Sequence, residues 1–329
     1  MKTIAFFLHR ISERGTETAV YDYAHYNEII LGNKSYIICF RDLYNFGLSM
    51  ERVESQNPFQ KFNKRFTVLA IDRIEDMKQI IEQYSIDIFY NLVNEPFTGF
   101  KFDNKEIWSK CRTVKQCVFD TRFPEGDVHL AVSNQQNETN KTNLKILPHM
   151  INNHPTNDNL RKEFGIPESA IVFGRYGGCD TFNIQCAIDA IIEVAKNNPT
   201  KYFLFMNTIP FCELPNVIFL GLSVDMEYKR KFINTCNAFI HAGSAGENFG
   251  LAIGEFAICL KPIITSSVCT YKAHIQILKE KAILYSSKEE LVNILTYFSP
   301  STFDMTNNGY FQYTPESVMK IFDSLICSF

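Results

Sequence analysis

The chain has 329 residues, of which 46% are apolar and 21% are charged, and its formal net charge is -3. This balance excludes an intrinsically disordered chain and argues against a polycation that binds nucleic acid through its phosphates. At about 150 residues per domain, the length predicts two domains.

The N-terminus and the cysteines indicate a reducing compartment. The uncharged stretch from Thr3 to Leu8 is too short for a secretory signal or a membrane span. The 10 cysteines are scattered through apolar segments, without a Cys-x-x-Cys pair or zinc-type spacing. We therefore expect reduced, buried thiols and a cytoplasmic protein with no transmembrane segment.

The first half of the chain alternates short apolar runs with stretches of helical periodicity. The run "TIAFFL" predicts a strand, and the following "ETAVYDYAHYNEIILG" predicts a helix that stops at Gly32. The alternation continues through "SYIICF", "RFTVLAI", "DRIEDMKQIIEQY", "DIFYNLV", "RTVKQCVF", "VHLAVS" and "LKILP". This pattern predicts a largely parallel sheet that is covered by helices.

One cluster in this half combines positive charge with aromatic rings: Lys61, Lys64 and Arg65 stand beside Phe59, Phe62 and Phe66. Such a cluster is typical of a solvated loop. Peripheral contact with an acidic membrane surface is the alternative.

The composition changes after Met150, where an asparagine-rich stretch indicates a domain boundary. The alternation then restarts with the apolar runs "AIVFGRY", "YFLFMN", "NVIFLG", "AFIHAG", "PIIT" and "AILY". We predict α/β architecture with two Rossmann-like domains, 1–150 and 151–313, that face a central cleft.

The last segment, "TPESVMKIFDSLICSF", carries the signals of a helix start. Thr314 is suited to the N-cap and Pro315 to the first helical position. We therefore predict a terminal helix over 314–329.

The segment "HAGSAGENFGLAIGEFAICLKPIIT" carries Glu247 and Glu255 in an otherwise small and apolar run. Glycines surround Glu247, and "LAIGEFAICL" predicts a buried helix from near Phe249 or Gly250 to about Leu260. The start of such a helix offers unpaired N–H groups to an anion and suits a diphosphate.

The two glutamates are then suited to a nucleotide sugar. Glu255 would accept hydrogen bonds from ribose hydroxyls, and Glu247 would contact sugar hydroxyls beyond the phosphates. The structural alternative makes Glu247 a charge favoured by the helix dipole and Glu255 a partly exposed helix residue. A carboxylate in an apolar setting needs a partner, which favours the ligand-binding interpretation.

The string "ENFGLAIGE" resembles the E-x7-E motif of retaining GT-B glycosyltransferases, in particular family 4, the glycosyl transferases group 1. Other segments match in order. "RGTETAVYDYA" resembles the glycine loop and first helix of that family's N-terminal domain, and "ILPHMI" its interdomain segment. "VFGRYGG" resembles the opening of its donor site, and "NVIFLG" the strand before the nucleotide base.

The resemblance implies the GT-B fold, with a terminal helix that crosses back to the N-terminal domain. It implies an acceptor-binding first domain, a donor-binding second domain, and retaining transfer from a nucleotide sugar to a glycan, lipid or protein acceptor. The nucleotide sugar is a co-substrate, and no further cofactor is expected. No Asp-x-Asp occurs in the chain, which agrees with a metal-independent site.

By this resemblance, Arg175 binds the donor diphosphate and Glu247 lies near the reaction centre. Asp120, which lies beside the place of the family's histidine, is the third catalytic candidate. The predicted donor-binding residues are Gly15, Thr16, Arg175, Gly177, Gly178, Asn207, His241, Gly246, Glu247, Asn248, Phe249, Gly250, Leu251 and Glu255.

The chain departs from the family pattern at two positions. Asp180 stands where the family usually has a lysine, and Phe119 where it often presents a histidine to the sugar. Backbone N–H groups after Arg175 would compensate for the lysine, or the segment is a plain tight turn into a helix capped by Asp180 or Thr181. Asp120 or Arg122 would position the sugar, or Asp120 is a turn residue.

Two other functions are compatible with parts of the sequence. A non-catalytic module that binds a nucleotide sugar or a glycan is motivated by Asp180 and Phe119. A dinucleotide oxidoreductase shares the two Rossmann-like halves, but the loop "LHRISERGTE" has a single glycine instead of G-x-G-x-x-G. The glycosyltransferase interpretation is therefore preferred.

Overall fold

The computed structural model describes residues 1–50, 56–94, 98–153 and 156–328. The chain divides into two compact units, one of Met1–Met150 with Tyr313–Phe329 and one of Ile151–Gln312. Phe329, the last residue of the predicted terminal helix, lies outside the described residues.

The first unit contains a seven-stranded sheet whose described pairings are all parallel. The strand order is β3-β2-β1-β4-β5-β6-β7. The strands are β1 Thr3–Leu8, β2 Lys34–Phe40, β3 Thr67–Ile71, β4 Ile88–Val93, β5 Arg112–Cys117, β6 Val128–Ala131 and β7 Lys145–Ile146. Because helices cover both faces, the central strands are buried on both sides, as β4 with six buried residues shows.

The helices of this unit follow the strands as the alternation predicts. They are α1 Gly15–Ile29, α2 Arg41–Ser49, α3 Pro58–Arg65, α4 Met77–Tyr84, α5 Lys105–Trp108 and α6 Asn134–Asn140. The prediction of a solvated loop at the basic cluster is wrong, because α3 forms there with Asn57 as its N-cap. Phe59 and Phe62 are buried, so these two rings belong to the protein interior rather than to a membrane-facing surface.

The second unit repeats the arrangement with a six-stranded parallel sheet in the order β10-β9-β8-β11-β13-β15. Its strands are β8 Ile171–Tyr176, β9 Lys201–Met206, β10 Val217–Leu220, β11 Ala238–His241, β13 Ile263–Ser266 and β15 Ala282–Tyr285. A separate pair joins β12 Gly246–Glu247 to β14 Tyr271–Lys272. The helices are α7 Gln185–Asn197, α8 Met226–Thr235, α9 Leu251–Ala257, α10 Ala273–Leu278 and α11 Lys288–Tyr297.

The terminal helix belongs to the first unit. Thr314 accepts a hydrogen bond from the N–H of Ser317, and α12 runs over Pro315–Phe322 before a π-helical turn. Phe322 packs against Phe6 and Tyr90 in the core of that unit. The return of the chain to its N-terminal domain is therefore confirmed.

The ten cysteines are all free thiols. The prediction that all are buried is wrong, because Cys179 is exposed. Within the described parts of the chain, no helix has the length and apolar character needed to cross a bilayer.

Candidate functional site

The predicted donor residues of the second unit gather where its sheet changes direction. β8 and β11 are neighbours in the sheet. After β8 the chain continues to β9, towards one edge of the sheet, and after β11 it continues to β13, towards the other edge. The carboxyl ends of two such strands leave a crevice, which is the usual ligand site of open α/β sheets. Arg175 stands near the end of β8 and His241 is the last residue of β11, so the fold brings both to this crevice.

Arg175 is buried and ties two loops together. Its Nη1 donates to the carbonyl of Asn207 at 3.2 Å, and its Nη2 donates to the carbonyl of Gly178 at 2.7 Å. Each nitrogen also donates to a threonine hydroxyl, Thr208 and Thr181 respectively. Burial lowers the pKa of Arg175 to about 10, against the opposing effect of the nearby Glu247 carboxylate, so the guanidinium stays charged at neutral pH.

The segment after Arg175 is a hydrogen-bonded tight turn. The N–H of Thr181 donates to the carbonyl of Gly178 at 3.1 Å, and Asn207 donates through Nδ2 to the carbonyl of Gly177 at 2.8 Å. The expectation that Asp180 or Thr181 caps the next helix is wrong, because α7 starts after Ile184. Asp180 is exposed at the place of the family's lysine.

Two glycines before α9 are required by the backbone. Gly246 has a φ of +75°, and a Cβ there would lie 2.0 Å from the carbonyl oxygen of Tyr271. Gly250 has a φ of +83° and is the N-cap of α9. Residues that carry a side chain rarely adopt such positive φ angles, so both positions favour glycine. The loop between them buries Asn248 and Phe249, and α9 begins at Leu251.

Glu255 is buried, with 7% of its surface exposed. The hydroxyl of Tyr176 donates a hydrogen bond to its Oε2. The alternative that Glu255 is a partly exposed helix residue is therefore wrong. Helix α9 also ends at Ala257, earlier than the predicted Leu260, and this short element holds the carboxylate against the end of β8.

Glu247 lies on β12, outside α9, and its side chain is 41% exposed. Its Oε1 is 3.6 Å from Nε2 of His241. A carboxylate beside an imidazole, with the Arg175 charge nearby, forms a polar cluster that can interact with a ligand's hydroxyl and phosphate groups.

Tyr176, which contacts Glu255, and Thr265 and His274, which contact His241, are among the site residues that were not identified from the sequence. Tyr176 directly follows Arg175 on β8. Thr265 pairs in register with His241 on the neighbouring strand β13, and its hydroxyl lies 3.0 Å from Nδ1 of His241. The signal that would have found Thr265 is its place at the end of a parallel strand, where side chains of adjacent strands meet.

The remaining two donor candidates, Gly15 and Thr16, lie in the first unit at the start of α1. Thr16 donates through its hydroxyl to Oδ1 of Asn94 at 2.7 Å. Beside them is a cavity of about 250 Å³ at the carboxyl ends of β1 and β4, which form the direction change of the first sheet. Its polar lining consists of His9, Arg10, Thr16, Glu17 and Asn94.

Glu17 carries an unusual carboxyl group in this cavity. It is 4% exposed and accepts a hydrogen bond from the hydroxyl of Ser12 at 2.7 Å. Burial raises the pKa of Glu17 above 4.5, and the Ser12 hydrogen bond opposes the shift only in part. Deprotonating this carboxyl group therefore costs more in the folded chain than in the unfolded one.

We expect Glu17→Gln to stabilise the first unit at pH 7. A raised carboxyl pKa means that wild-type stability falls as the pH rises above about 4.5, whereas glutamine does not titrate. The difference in stability between Glu17→Gln and the wild type should therefore vanish below that pH. The fluorescence of Trp108, the single tryptophan, reports denaturant unfolding of this unit. The exposed Glu106→Gln is the matched control, and an equally large gain there would contradict the prediction.

Asp120 follows β5 in the first unit and forms a local ion pair. Arg122 donates through Nε to Oδ1 of Asp120 at 2.9 Å and through Nη2 to Oδ2 at 2.6 Å. The backbone N–H of Arg122 also donates to the same carboxylate, so the residue occupies an Asx-type turn. These hydrogen bonds lower the pKa of Asp120. The carbonyl of Phe119 accepts from two side-chain amides and so anchors the turn.

Comparisons with protein-family models and with curated proteins give no match. Solved structures do match over nearly the whole chain. A glycosyltransferase from Rickettsia africae is 13% identical, with a TM-score of 0.73 and 98% of each chain covered. Anabaena HepE, solved with UDP-glucose, is 16% identical, with a TM-score of 0.70 and 99% of each chain covered. WaaG, a glycosyltransferase of lipopolysaccharide biosynthesis, is 14% identical, with a TM-score of 0.65, 98% of this chain and 99% of its own covered. The predicted fold is thus confirmed, and the chain has the two-domain α/β fold of the GT-B glycosyltransferases.

Proposed function

We propose that this chain is a retaining, metal-independent glycosyltransferase that uses a nucleotide sugar. The observation that carries the proposal is the convergence of Arg175, His241, Glu247 and Glu255 at the direction change of the second sheet. A crevice of this kind takes nucleotides in α/β folds, and HepE, which shares the fold, has been solved with UDP-glucose. Fold alone does not assign an activity, so the proposal depends on the residues at the crevice.

Each residue has a role that its surroundings support. Glu255, held by Tyr176, presents a buried carboxylate to the ribose hydroxyls. Glu247, half-exposed beside His241, contacts the transferred sugar. Arg175 supplies the positive charge that stabilises the departing diphosphate. The likeness of "ENFGLAIGE" to the E-x7-E motif supports retention at the anomeric carbon.

The acceptor is proposed to be a glycan, a lipid-linked sugar or a protein side chain that enters the first unit. The cavity beside α1 supports this, because its lining combines polar side chains with apolar surface from Phe7 and Leu92, as small-molecule sites commonly do. The ten free cysteines favour a cytoplasmic location.

A non-catalytic module that binds nucleotide sugars or glycans is the second candidate. Arg175 favours it, because both terminal nitrogens of the guanidinium donate within the protein, to two carbonyls and two hydroxyls. In this arrangement Arg175 shapes the donor loop. Asp180 gives that loop a negative charge where the family has a positive one. Both features weaken the attraction for a diphosphate.

Calorimetric titration with UDP, GDP, ADP and CDP tests the donor site directly. We expect one nucleotide to bind the wild-type chain, and Glu255→Ala to weaken that binding by about 10- to 100-fold. The reason is the loss of charged hydrogen bonds to the ribose, which contribute about 1.5–3 kcal/mol.

Glu193→Ala, on α7 in the same unit, is the matched control and should bind like the wild type. The absence of measurable binding with all four nucleotides would overturn the proposal. Binding without sugar transfer, or with only slow donor hydrolysis, would select the binding module.

A further inference from the structure

Two histidines and a threonine form a buried chain of polar contacts behind Glu247. His241 is 7% exposed, whereas Thr265 and His274 are fully buried. The Thr265 hydroxyl lies 3.0 Å from Nδ1 of His241 and 2.9 Å from Nε2 of His274. The chain of contacts thus runs from the interior to Nε2 of His241, which faces the Glu247 carboxylate.

The position of each proton follows from the partners. A neutral imidazole has one donor and one acceptor nitrogen. Nε2 of His274 has the Thr265 oxygen as its partner, and no group lies within hydrogen-bond geometry of the buried Nδ1. Placing the proton on Nε2 gives the N–H a partner, which a buried donor requires. Burial, and to a smaller extent the charge of His241, lower the pKa of His274 to about 3. The backbone carbonyl of Glu247 raises the pKa only in part, so the ring is neutral.

The remaining protons then have one arrangement. If Thr265 accepts from His274, its own hydroxyl proton is directed to Nδ1 of His241. That nitrogen must be the acceptor, and Nε2 of His241 carries the N–H. This N–H points to the Glu247 carboxylate, an interaction that attracts, whereas the opposite tautomer would set a lone pair against a negative charge.

We propose that Thr265 and His274 are positioning residues, which fix His241 as the Nε2–H tautomer and so hold the Glu247 carboxylate in one place. The contribution to turnover depends on the proposed function, whereas the tautomers do not. Other groups around the pair are Arg175 and Cys269, which interact electrostatically with Glu247, Lys272 on the paired strand β14, and Tyr285, whose hydroxyl donates to the His241 carbonyl at 3.0 Å.

Nitrogen-15 NMR of the histidine rings in the full chain is the first test, with assignments from single-histidine replacements. At pH 7 we expect both His241 and His274 to carry the proton on Nε2. Thr265→Val keeps the side-chain shape without the hydroxyl and should leave His241 as a mixture of tautomers. Thr265→Ser is the matched control and should preserve the wild-type spectrum. A proton on Nδ1 of either ring, or an unchanged His241 in Thr265→Val, would overturn the proposal.

Turnover gives the second readout. Thr265→Val should lower kcat by about tenfold, equivalent to about 1.4 kcal/mol of barrier, with nucleotide affinity kept within about twofold. Thr265→Ser should restore kcat. Should Thr265→Val not fold, His274→Gln, which keeps a donor toward Thr265, should retain activity, while His274→Met should lose it. Equal loss in both would indicate a packing role. Failure of every nucleotide to bind would overturn the proposed function and leave the NMR result to decide the tautomers.

Discussion

Glu247→Gln is expected to lower the rate of sugar transfer by about 10²- to 10³-fold, the usual cost of removing one group that stabilises transition-state charge. The substitution keeps the shape of the side chain and removes its negative charge. Nucleotide affinity should change by less than about threefold, because Glu255 and Arg175 are proposed to hold the nucleotide. Steady-state kcat and calorimetric Kd separate the two effects.

A glutamate of the same unit provides the control for this measurement. Glu193 on α7 forms an ion pair with Lys288 at 2.8 Å, on the surface. Glu193→Gln should leave kcat unchanged. If Glu247→Gln retains more than half of the wild-type kcat, Glu247 does not act at the reaction centre. If it abolishes nucleotide binding instead, its role is in binding.

Gly174→Ala is expected to destabilise the second unit by about 1–3 kcal/mol, through overpacking of a close approach. Gly174 lies in β8, and a Cβ there would lie 2.2 Å from Sγ of Cys236 and 3.0 Å from its Cβ. Cys236 is buried at the end of α8, and its thiol donates to the carbonyl of Phe232, so it has little room to move. Thermal unfolding followed by circular dichroism measures the loss.

A double-mutant cycle tests the cause. Cys236→Ala removes the sulfur that the new methyl group would meet. We expect the double variant Gly174→Ala with Cys236→Ala to lose less free energy of unfolding than the sum of the losses in the two single variants. Strict additivity would show that the cost of Gly174→Ala lies elsewhere, for example in the backbone of β8.

Much of the fold could be predicted from the sequence because its signals are local. Parallel strands with helices on both faces read as short apolar runs, and such runs mark β1, β4, β8 and β11. The terminal helix was predictable from Thr314 and Pro315, since an N-cap and a first-turn proline act within one turn.

The predictions that failed depend on contacts between distant parts of the chain. The basic and aromatic cluster around Phe62 reads as a loop because its charges dominate the composition, yet burial of the rings against the first core makes it helical. Glu255 was open to two interpretations because helical periodicity does not say which neighbour a side chain meets. The contact with Tyr176, 79 positions earlier in the chain, decides that it is buried.

The sequence by itself determined the order of strands and helices, the two α/β halves and the glycine-rich segment with its two glutamates. Spacing along the chain carries this information, because strand and helix periodicity and capping act over a few residues. Only the tertiary structure decided that His241 meets Thr265 and His274, and that Arg175 is engaged by its own loops. These contacts follow from the strand order and register of the second sheet, which bring side chains that are far apart in sequence to one edge. Because these side chains are buried away from water, their polar groups form hydrogen bonds with one another.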